Sequence, residues 1–574
     1  MAEDSFKEEV VAILVKSISN KEFDKSKVSE LIEVPQQEFG DYAFPCFVLA
    51  RIYKKSPQEI ANDLADKIKP GKKVTKVQAT GPYLNFFVDK EEVAESTVAD
   101  ILNKKEAYGS SKNGKKTVMV EFFHANTHKA VHIGHIRNIC LGESISRTLE
   151  FTGNKVVRVN YQGDIGPHVA KCLWGMINIK KFGKPPSANR LRWLADVYVN
   201  ANKTIEGNEK LEAEVKQLLL KIYNKDKELN KLWNETRQWC LDEFEEMYKD
   251  FGVKYKELYF ESGMEFPARD ISKQLLKKGI AKESDGAVII DLKSHKLGIF
   301  VLVTQDGTAL YSSKDIALAQ KKMSKYSLDK SIHVVGKEQE LHFKQLFKTL
   351  EIMGGKEKEF AGKSYHLIYG LVMLPTGKMS SRSGSVVFYD ELKDELLSLA
   401  TAEVKKRHKD WNQKQVDETA KKIAFAALKL GMIYRDNEKQ LVFDWEQAMN
   451  FEGETGPYIQ YAHARICSIL EKYGKKVATT ADFSLLKEKE EQLLIRLLSQ
   501  FPATVEAAAS NYKPLLIARY LLDLSQAFNN FYHQHPILKA EEDVKKARLL
   551  LITAVKQVLK NGLNLLAIEA PEKM

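Results

Sequence analysis

The stretch from 121 to 137 reads E-F-F-H-A-N-T-H-K-A-V-H-I-G-H-I-R, crowding four histidines, a lysine and a glycine into one short segment. His132 and His135 stand three apart, so they share one face of a first helical turn. The backbone N–H groups of such a turn already form an anion site, and imidazoles beside them can donate to a phosphoryl group as its charge grows. Gly134 between them leaves room for a flat ring or a phosphate to approach the main chain. Phosphate chemistry is the first expectation. Two further clusters lie downstream. Tyr311 and Asp315 stand four apart, so a helical start would aim both at one pocket, although Asp315 taken alone is more simply a carboxylate in a helix's first turn. Lys378-Met379-Ser380-Ser381-Arg382 follows the strand-like HLIYGLVML.

The surrounding elements must carry these residues to a ligand edge. TVMVEF at 117–122 is a strand by its β-branched content, and a helical pattern from about 132 to 151 ends before Gly153-Asn154. KVVRVNY at 155–161 completes a βαβ unit, whose helix N-terminus faces the ligand edge of a parallel sheet. GAVIIDLKSHKLGIFVLV at 286–303 reads as a hairpin or sheet insertion, and strands at 332–336 and 366–374 resume the alternation. From about 400 the pattern is almost wholly helical. Tyr520, Leu524, Phe528 and Phe531 mark one face of a helix entered through Pro514 and closed before Pro536. Another helix, about 541–560, stops at Gly562 with Lys560 in its last turn.

The expected fold is α/β: a Rossmann-type parallel-sheet core over 111–400, with an insertion at about 186–300. An α+β domain at 1–110 precedes it, separated by the polar linker GSSKNGKK at 109–116, and a helical connecting region at 401–450 leads to an all-α module at 451–574. The chain's 574 residues suit three or four domains, and 44% hydrophobic with 29% charged residues excludes a disordered or fibrous chain. Lys plus Arg number 88 against 77 Asp plus Glu, and the net charge of +11 suits a polyanionic partner. The N-terminus carries acids where a secretory signal needs bases, and no apolar run approaches the roughly 18 residues of a membrane span. A soluble, cytoplasmic protein is expected. Cys46, Cys140, Cys172, Cys240 and Cys467 are scattered and never form a CxxC pair, so neither a disulfide framework nor a zinc site is expected.

Residues 132–135 resemble the HIGH signature of class I aminoacyl-tRNA synthetases, in the strand-to-helix context that signature requires. Residues 378–382 resemble the KMSKS loop of the same family, with Ser381 where the second lysine belongs. That departure removes a cation from the transferring phosphates unless another replaces it, and Lys129, just ahead of the first signature, is a substitute. Arginyl-tRNA synthetases are the members in which the second lysine is often missing and a lysine before HIGH takes its role. Residues 454–470, 527–538 and the ending VLKNGLNLLAIEAPEKM also resemble that branch. Two positions depart from it: His168 stands where Gln is common and His124 where Ser is frequent.

The resemblance implies ATP-dependent ligation of L-arginine to tRNA(Arg) through an arginyl-adenylate. Lys129, His132, His135 and Lys378 are its catalytic residues, and His132, Gly134, His135, Lys378, Met379 and Ser380 hold ATP. Tyr311, Asp315 and Glu261 read the guanidinium, Asn126 and Gln339 hold the α-amino and carboxylate end, and Glu121 and His135 line the same pocket. Asn529, Tyr532 and Met574 fall on the anticodon side, the N-terminal domain touches the outer corner of the tRNA, and Mg²⁺ travels with ATP. A monomer with no resident metal and no membrane partner is expected. A cysteine-specific relative would need a thiolate-rich zinc site, and an Ile/Val/Leu enzyme an editing insertion that the span from Gly175 to Gly286 barely accommodates. A catalytically inactive RNA-binding paralogue has no need to keep a nucleotide site and a guanidinium site together.

Overall fold

The structure, a computed structural model, describes residues 5–33, 35, 39–71, 73–373, 375 and 388–574. Its first unit packs the helices Ser5–Ile18 and Pro57–Lys67 on an antiparallel sheet in which Tyr83–Val88 lies between Tyr42–Pro45 and Val74–Thr80. Ser56 and Glu59 close a capping box with Pro57 at the first helical position, which fixes where the second helix begins. Val10, Leu14, Phe44, Leu84 and Phe86 fill the core between helices and sheet. Helix Lys90–Lys104 leaves this core: it packs on the far C-terminal helices Lys489–Asn511 and Glu542–Leu565, and the Tyr108 hydroxyl after it donates to the Leu498 carbonyl at 2.9 Å.

The central sheet has five parallel strands in the order Ser364–Tyr369, Lys330–Gly336, Thr117–Glu121, Lys155–Gln162, Glu257–Phe260. Successive strands run outward to one side of Thr117–Glu121 and then resume on its other side. The crevice at the carboxyl ends, where the order reverses, is the place such sheets bind ligands. The stretch read as one insertion at 186–300 is two, because the sheet strand Glu257–Phe260 divides it. Four residues are too few to carry a periodic signal. Before that strand come the helices Arg190–Ile205, Glu209–Tyr223 and Lys227–Phe251. After it comes the three-stranded antiparallel sheet Lys282–Ser284, Ala287–Asp291, Ile299–Val303.

HLIYGLVML is likewise broken. The sheet strand ends at Tyr369, and beyond Gly370 the pair Val372–Met373 leaves the sheet to run parallel to Leu441–Val442.

The C-terminal part is a helix bundle comprising Gln413–Ile433, Gly456–Tyr473, Lys489–Asn511, Leu515–Gln534 and Glu542–Leu565, while Tyr389–Arg407 runs across residue 400. Tyr520, Leu524, Phe528 and Phe531 are all buried, each side chain worth about 1.5–3 kcal/mol of hydrophobic burial. Gly562 does not end its helix, which continues to Leu565. A Cβ there would lie 2.5 Å from Leu521, so this glycine serves helix–helix approach rather than termination.

Candidate active site

The turn from Glu121 to Ile133 is unusual backbone. Phe123, His124 and His128 all have positive φ, at 87°, 53° and 60°. Side-chain amides on neighbouring elements hold it: Asn138 Oδ1 accepts from the Phe123 N–H at 2.5 Å, and Asn160 Oδ1 accepts from the His124 N–H at 3.1 Å. His128 is fully buried between the hydroxyls of Thr127 (2.9 Å) and Thr236 (2.8 Å), so it braces the loop and faces no ligand.

His132 is the N-cap of helix Ile133–Phe151. Its Nδ1 accepts the Gly134 N–H at 3.1 Å, and Nδ1 of His135 accepts the His132 N–H at 3.2 Å. Both rings therefore carry their proton on Nε2, which leaves each with one N–H to donate. Their centroids are 3.9 Å apart. Burial, then Lys129, pushes His132 down to about 4, and burial followed by His132 pushes His135 far down, so both rings are neutral donors at neutral pH. The space beside Gly134 is taken by the ring of His132, 3.0 Å from where a Cβ would stand, so the glycine admits the cap rather than an incoming phosphate. Lys129 is half-buried with Nζ 5.5 Å from the centre of the Tyr198 ring. Burial lowers its pKa, and Glu261 opposes the shift.

Beside this turn a cavity of about 370 Å³ opens at the switch point of the sheet, and Glu121, Asn126, Glu261, Tyr311, Asp315 and Gln339 all line it. They come from four separate places in the chain, and the fold brings them together. Tyr311 and Asp315 do lie in the first turns of one helix, Tyr311–Lys325. Gly163 lets two of the others converge, because a Cβ there would fall 2.2 Å from Asn126 Oδ1 and 3.2 Å from Glu261 Oε2. His135 is not among the lining residues; its ring packs against Phe123 and His132.

The cavity carboxylates already have internal partners. Glu121 is 3% exposed, with one oxygen on Lys322 and the other 3.0 Å from His333 Nδ1. Burial disfavours its charge, but Lys322 and His333 outweigh that and hold the carboxyl below its ordinary range. Glu121 thus lines the cavity with its charge offset by Lys322 and one hydrogen bond already on each oxygen. Glu261 accepts from Lys314 Nζ at 2.9 Å, and Lys314 also reaches Glu265 at 3.0 Å. Burial pushes the Glu261 carboxyl up against the pull of Lys314. Asp315 accepts from Nε2 of His342 at 2.6 Å, and that ring stands 4.7 Å from Tyr311. An imidazole is the only hydrogen-bond partner the Asp315 carboxylate has among the described residues, and no lysine or arginine pairs with it there.

Other side chains in or around the cavity carry no motif in the sequence. Lys322 sits seven positions after Asp315 on the same helix, a spacing that was there to be seen. Lys314, His333 and His342 give no local signal. Asp164 accepts from the Ser262 N–H (2.8 Å), the Ser262 hydroxyl (2.7 Å) and Arg237 Nε (2.7 Å), tying the Gly163 turn to the backbone beside Glu261. His168 folds over Gly166 with Nε2 buried and unpartnered, and burial pushes its pKa far down.

Lys378, Met379, Ser380, Ser381 and Arg382 lie outside the described residues. Both flanks of their segment are anchored on the first signature's surroundings. Gly370 lies on Arg137, Phe388 bridges to His132, and the Tyr389 N–H donates to the Val131 carbonyl at 2.9 Å. In the helical module Asn529 accepts from Arg465 at 2.7 Å, and that guanidinium also stacks on Tyr461 (4.6 Å) and Tyr532 (5.0 Å), so Asn529 and Tyr532 share one partner. Met574 packs half-buried against the helical core. Among the described residues no His, Cys, Asp or Glu cluster is arranged to hold a metal ion, and no helix is long and apolar enough to cross a membrane.

Comparison with known proteins decides the family. The family model for the class I (R) tRNA synthetase catalytic domain matches residues 97–445, that of the arginyl tRNA synthetase N-terminal domain residues 4–88, and that of the DALR anticodon binding domain residues 459–574. The arginine–tRNA ligase of Clostridioides difficile is 37% identical over 96% of this chain and 97% of its own length. The chain belongs to the arginyl-tRNA synthetase family. The arginine–tRNA ligase of Halothermothrix orenii is 36% identical, covering 99% of this chain and all of that one. The Thermus thermophilus arginyl-tRNA synthetase superposes with a TM-score of 0.81 at 28% identity over 99% of each chain. At 21% identity, the Plasmodium falciparum arginyl-tRNA synthetase shares the fold with a TM-score of 0.78. The α/β class I core, the appended N-terminal unit and the helical C-terminal module are thus those of an arginyl-tRNA synthetase.

Proposed function

We propose that this arginyl-tRNA synthetase ligates L-arginine to tRNA(Arg) in two steps within the cavity at the switch point. The observation that carries the reading is the pairing of charges: Glu121 and Glu261 are offset by lysines, and Asp315, shared only with an imidazole, is left to meet a cation. A guanidinium needs planar acceptors and cannot shed its proton, so Asp315 with the Tyr311 hydroxyl suits it better than any neutral side chain. Asn126 and Gln339 take the α-amino and carboxylate end.

In the first step the arginine carboxylate oxygen attacks the α-phosphorus of ATP. The bond to the bridging oxygen breaks, and pyrophosphate leaves with that electron pair. Nε2–H of His132 and of His135 donate to the phosphates, while Lys129 and Lys378 offset the charge that builds on them, with Ser380 adding a hydroxyl contact. Mg²⁺ accompanies ATP as part of the substrate. Lys129 stands beside both His132 and Glu261, which supports its taking the part that Ser381 cannot play. In the second step the 2′-hydroxyl of the terminal adenosine attacks the adenylate carbonyl and AMP leaves. The N-terminal unit meets the corner of the tRNA, and the module holding Asn529, Arg465 and Tyr532 meets the anticodon.

Charging of purified tRNA is measured with each of the twenty amino acids, alongside ATP–pyrophosphate exchange with and without tRNA. Arginine alone is charged, and exchange without tRNA is weak. Charging by any other amino acid refutes the reading.

A further inference from the structure

Three buried polar atoms in the wall of the switch-point cavity find no hydrogen-bond partner among the described residues: the Tyr161 hydroxyl, Nε2 of His124 and Nδ1 of His342. Orphaned polar groups are rare in folded proteins and each calls for an explanation, so three of them on one cavity wall point to a ligand that supplies the partners. His342 is already tied to Asp315 through its other nitrogen, at 2.6 Å. Tyr161 is the more telling case, because the phenol has a single polar atom and no described residue meets it.

Side chains alternate across the strand Lys155–Gln162, and Asn160 and Gln162 both donate to the Tyr248 hydroxyl on one face, at 3.0 and 3.2 Å. Tyr161 therefore projects from the other face, the one that meets Glu121, Glu261 and Asp315 at the cavity. Its in-register neighbour on the next strand, Tyr259, is buried as well, yet the hydroxyl of that residue donates to Glu257 at 3.4 Å. Packing on this face thus does not by itself leave a phenol unpaired; Tyr161 differs in ending at the cavity. Burial, and after it the Asp315 carboxylate, pushes the Tyr161 pKa far up, so the group stays a neutral hydroxyl. Burial likewise lowers His124 against the pull of Glu121, which leaves that ring uncharged at neutral pH. Neither group repels a cation.

A guanidinium presents five N–H donors in one plane, and a single carboxylate accepts along only one edge of it. Donors turned toward a buried wall need acceptors too, and each one left unpaired is costly. We infer that the Tyr161 hydroxyl is a further arginine-reading group, accepting a guanidinium N–H that the Asp315 carboxylate does not take. A neutral acceptor suits that place, because the wall already carries Glu121, Glu261 and Asp315, and a fourth carboxylate would add repulsion without a counter-ion. The inference deepens the reading of this cavity as the arginine site and rests on it.

Tyr161→Phe removes the oxygen and keeps the ring, and the described fold loses no hydrogen bond by it. In tRNA-supported ATP–pyrophosphate exchange the variant raises the KM for arginine by about ten- to a hundredfold, the contribution of one hydrogen bond to a charged group. The kcat, the KM for ATP and the melting temperature stay at their wild-type values, a split that a purely packing role would not produce. Competitive inhibition by agmatine, which carries the guanidinium but no carboxylate, weakens by the same factor. An arginine KM within about threefold of wild type overturns the inference, since the hydroxyl then meets only solvent. A raised KM with unchanged agmatine inhibition also overturns it, because the contact would lie at the carboxylate end of the substrate. Asp315→Asn, measured in the same assay, separates the two levels. If it raises the KM for arginine while Tyr161→Phe does not, only this inference fails, and if it is itself wild-type, the reading of the cavity as the guanidinium site fails.

Discussion

Replacing Asp315 with Asn changes one charge at the centre of the cavity while keeping the shape of the side chain. The carbonyl oxygen of the amide can still accept from His342 Nε2, now at 2.6 Å, so the helix Tyr311–Lys325 keeps its local contact. Electrostatics change more. Lys322 offsets Glu121, and Lys314 with Arg269 offsets Glu261 and Glu265, so removing Asp315 leaves the described lining without the charge that would face a cationic ligand. A hydrogen bond to a charged group contributes about 1.5–3 kcal/mol, and breaking a buried charge pair costs about 3–5 kcal/mol. The cavity is partly open, since Tyr311 is 56% exposed, which argues for the middle of that span, about 2–4 kcal/mol. At 1.4 kcal/mol per decade the KM for arginine should rise roughly 30- to 700-fold. ATP–pyrophosphate exchange with saturating tRNA gives KM for arginine and for ATP in the same experiment, and the ATP value should stay within about threefold. An arginine KM equally close to wild type would mean that the guanidinium is read elsewhere.

Lys129→Ala should slow adenylate formation by orders of magnitude in a single-turnover assay while tRNA affinity is kept, and a small loss would remove Lys129 from the phosphate site. Gly562→Ala sets about 1 kcal/mol of helix propensity against about 1–3 kcal/mol of overpacking on Leu521. Urea titration should show a lower midpoint, and a higher one would mean that the contact yields. Burial pushes His128 down to about 3, far below the ordinary histidine value near 6.5. Between those values the unfolded chain binds more protons, so the stability from His128 is complete above about pH 6.5 and lost as pH falls toward 3. His128→Gln, which can still bond to both threonines, should flatten the acid limb of the melting-temperature profile, and an unchanged limb would show that His128 does not titrate there. Log–log plots of tRNA affinity against salt should fall steeply, as befits a chain of net charge +11, and a flat plot would make that charge irrelevant to the partner.

Local pattern alone located the chemistry. The His132–His135 turn, the helical start that pairs Tyr311 with Asp315, and the helix face from Tyr520 to Phe531 are readable because periodicity and capping act over a few residues. The resemblance to arginyl-tRNA synthetases, carried by the first signature and the Ser381 departure, lies wholly in the sequence. Tertiary structure decided which carboxylates are free. Glu121 and Glu261 look the same as Asp315 in sequence, yet Lys322, His333 and Lys314, brought in from distant positions, pair with the first two, while Asp315 meets the imidazole of His342. It also turned Gly562 from a helix stop into a packing contact and divided the insertion with the strand Glu257–Phe260. The reason is common to these cases: burial and charge pairing depend on what the fold sets a few ångströms away, and neighbours along the chain carry no record of that.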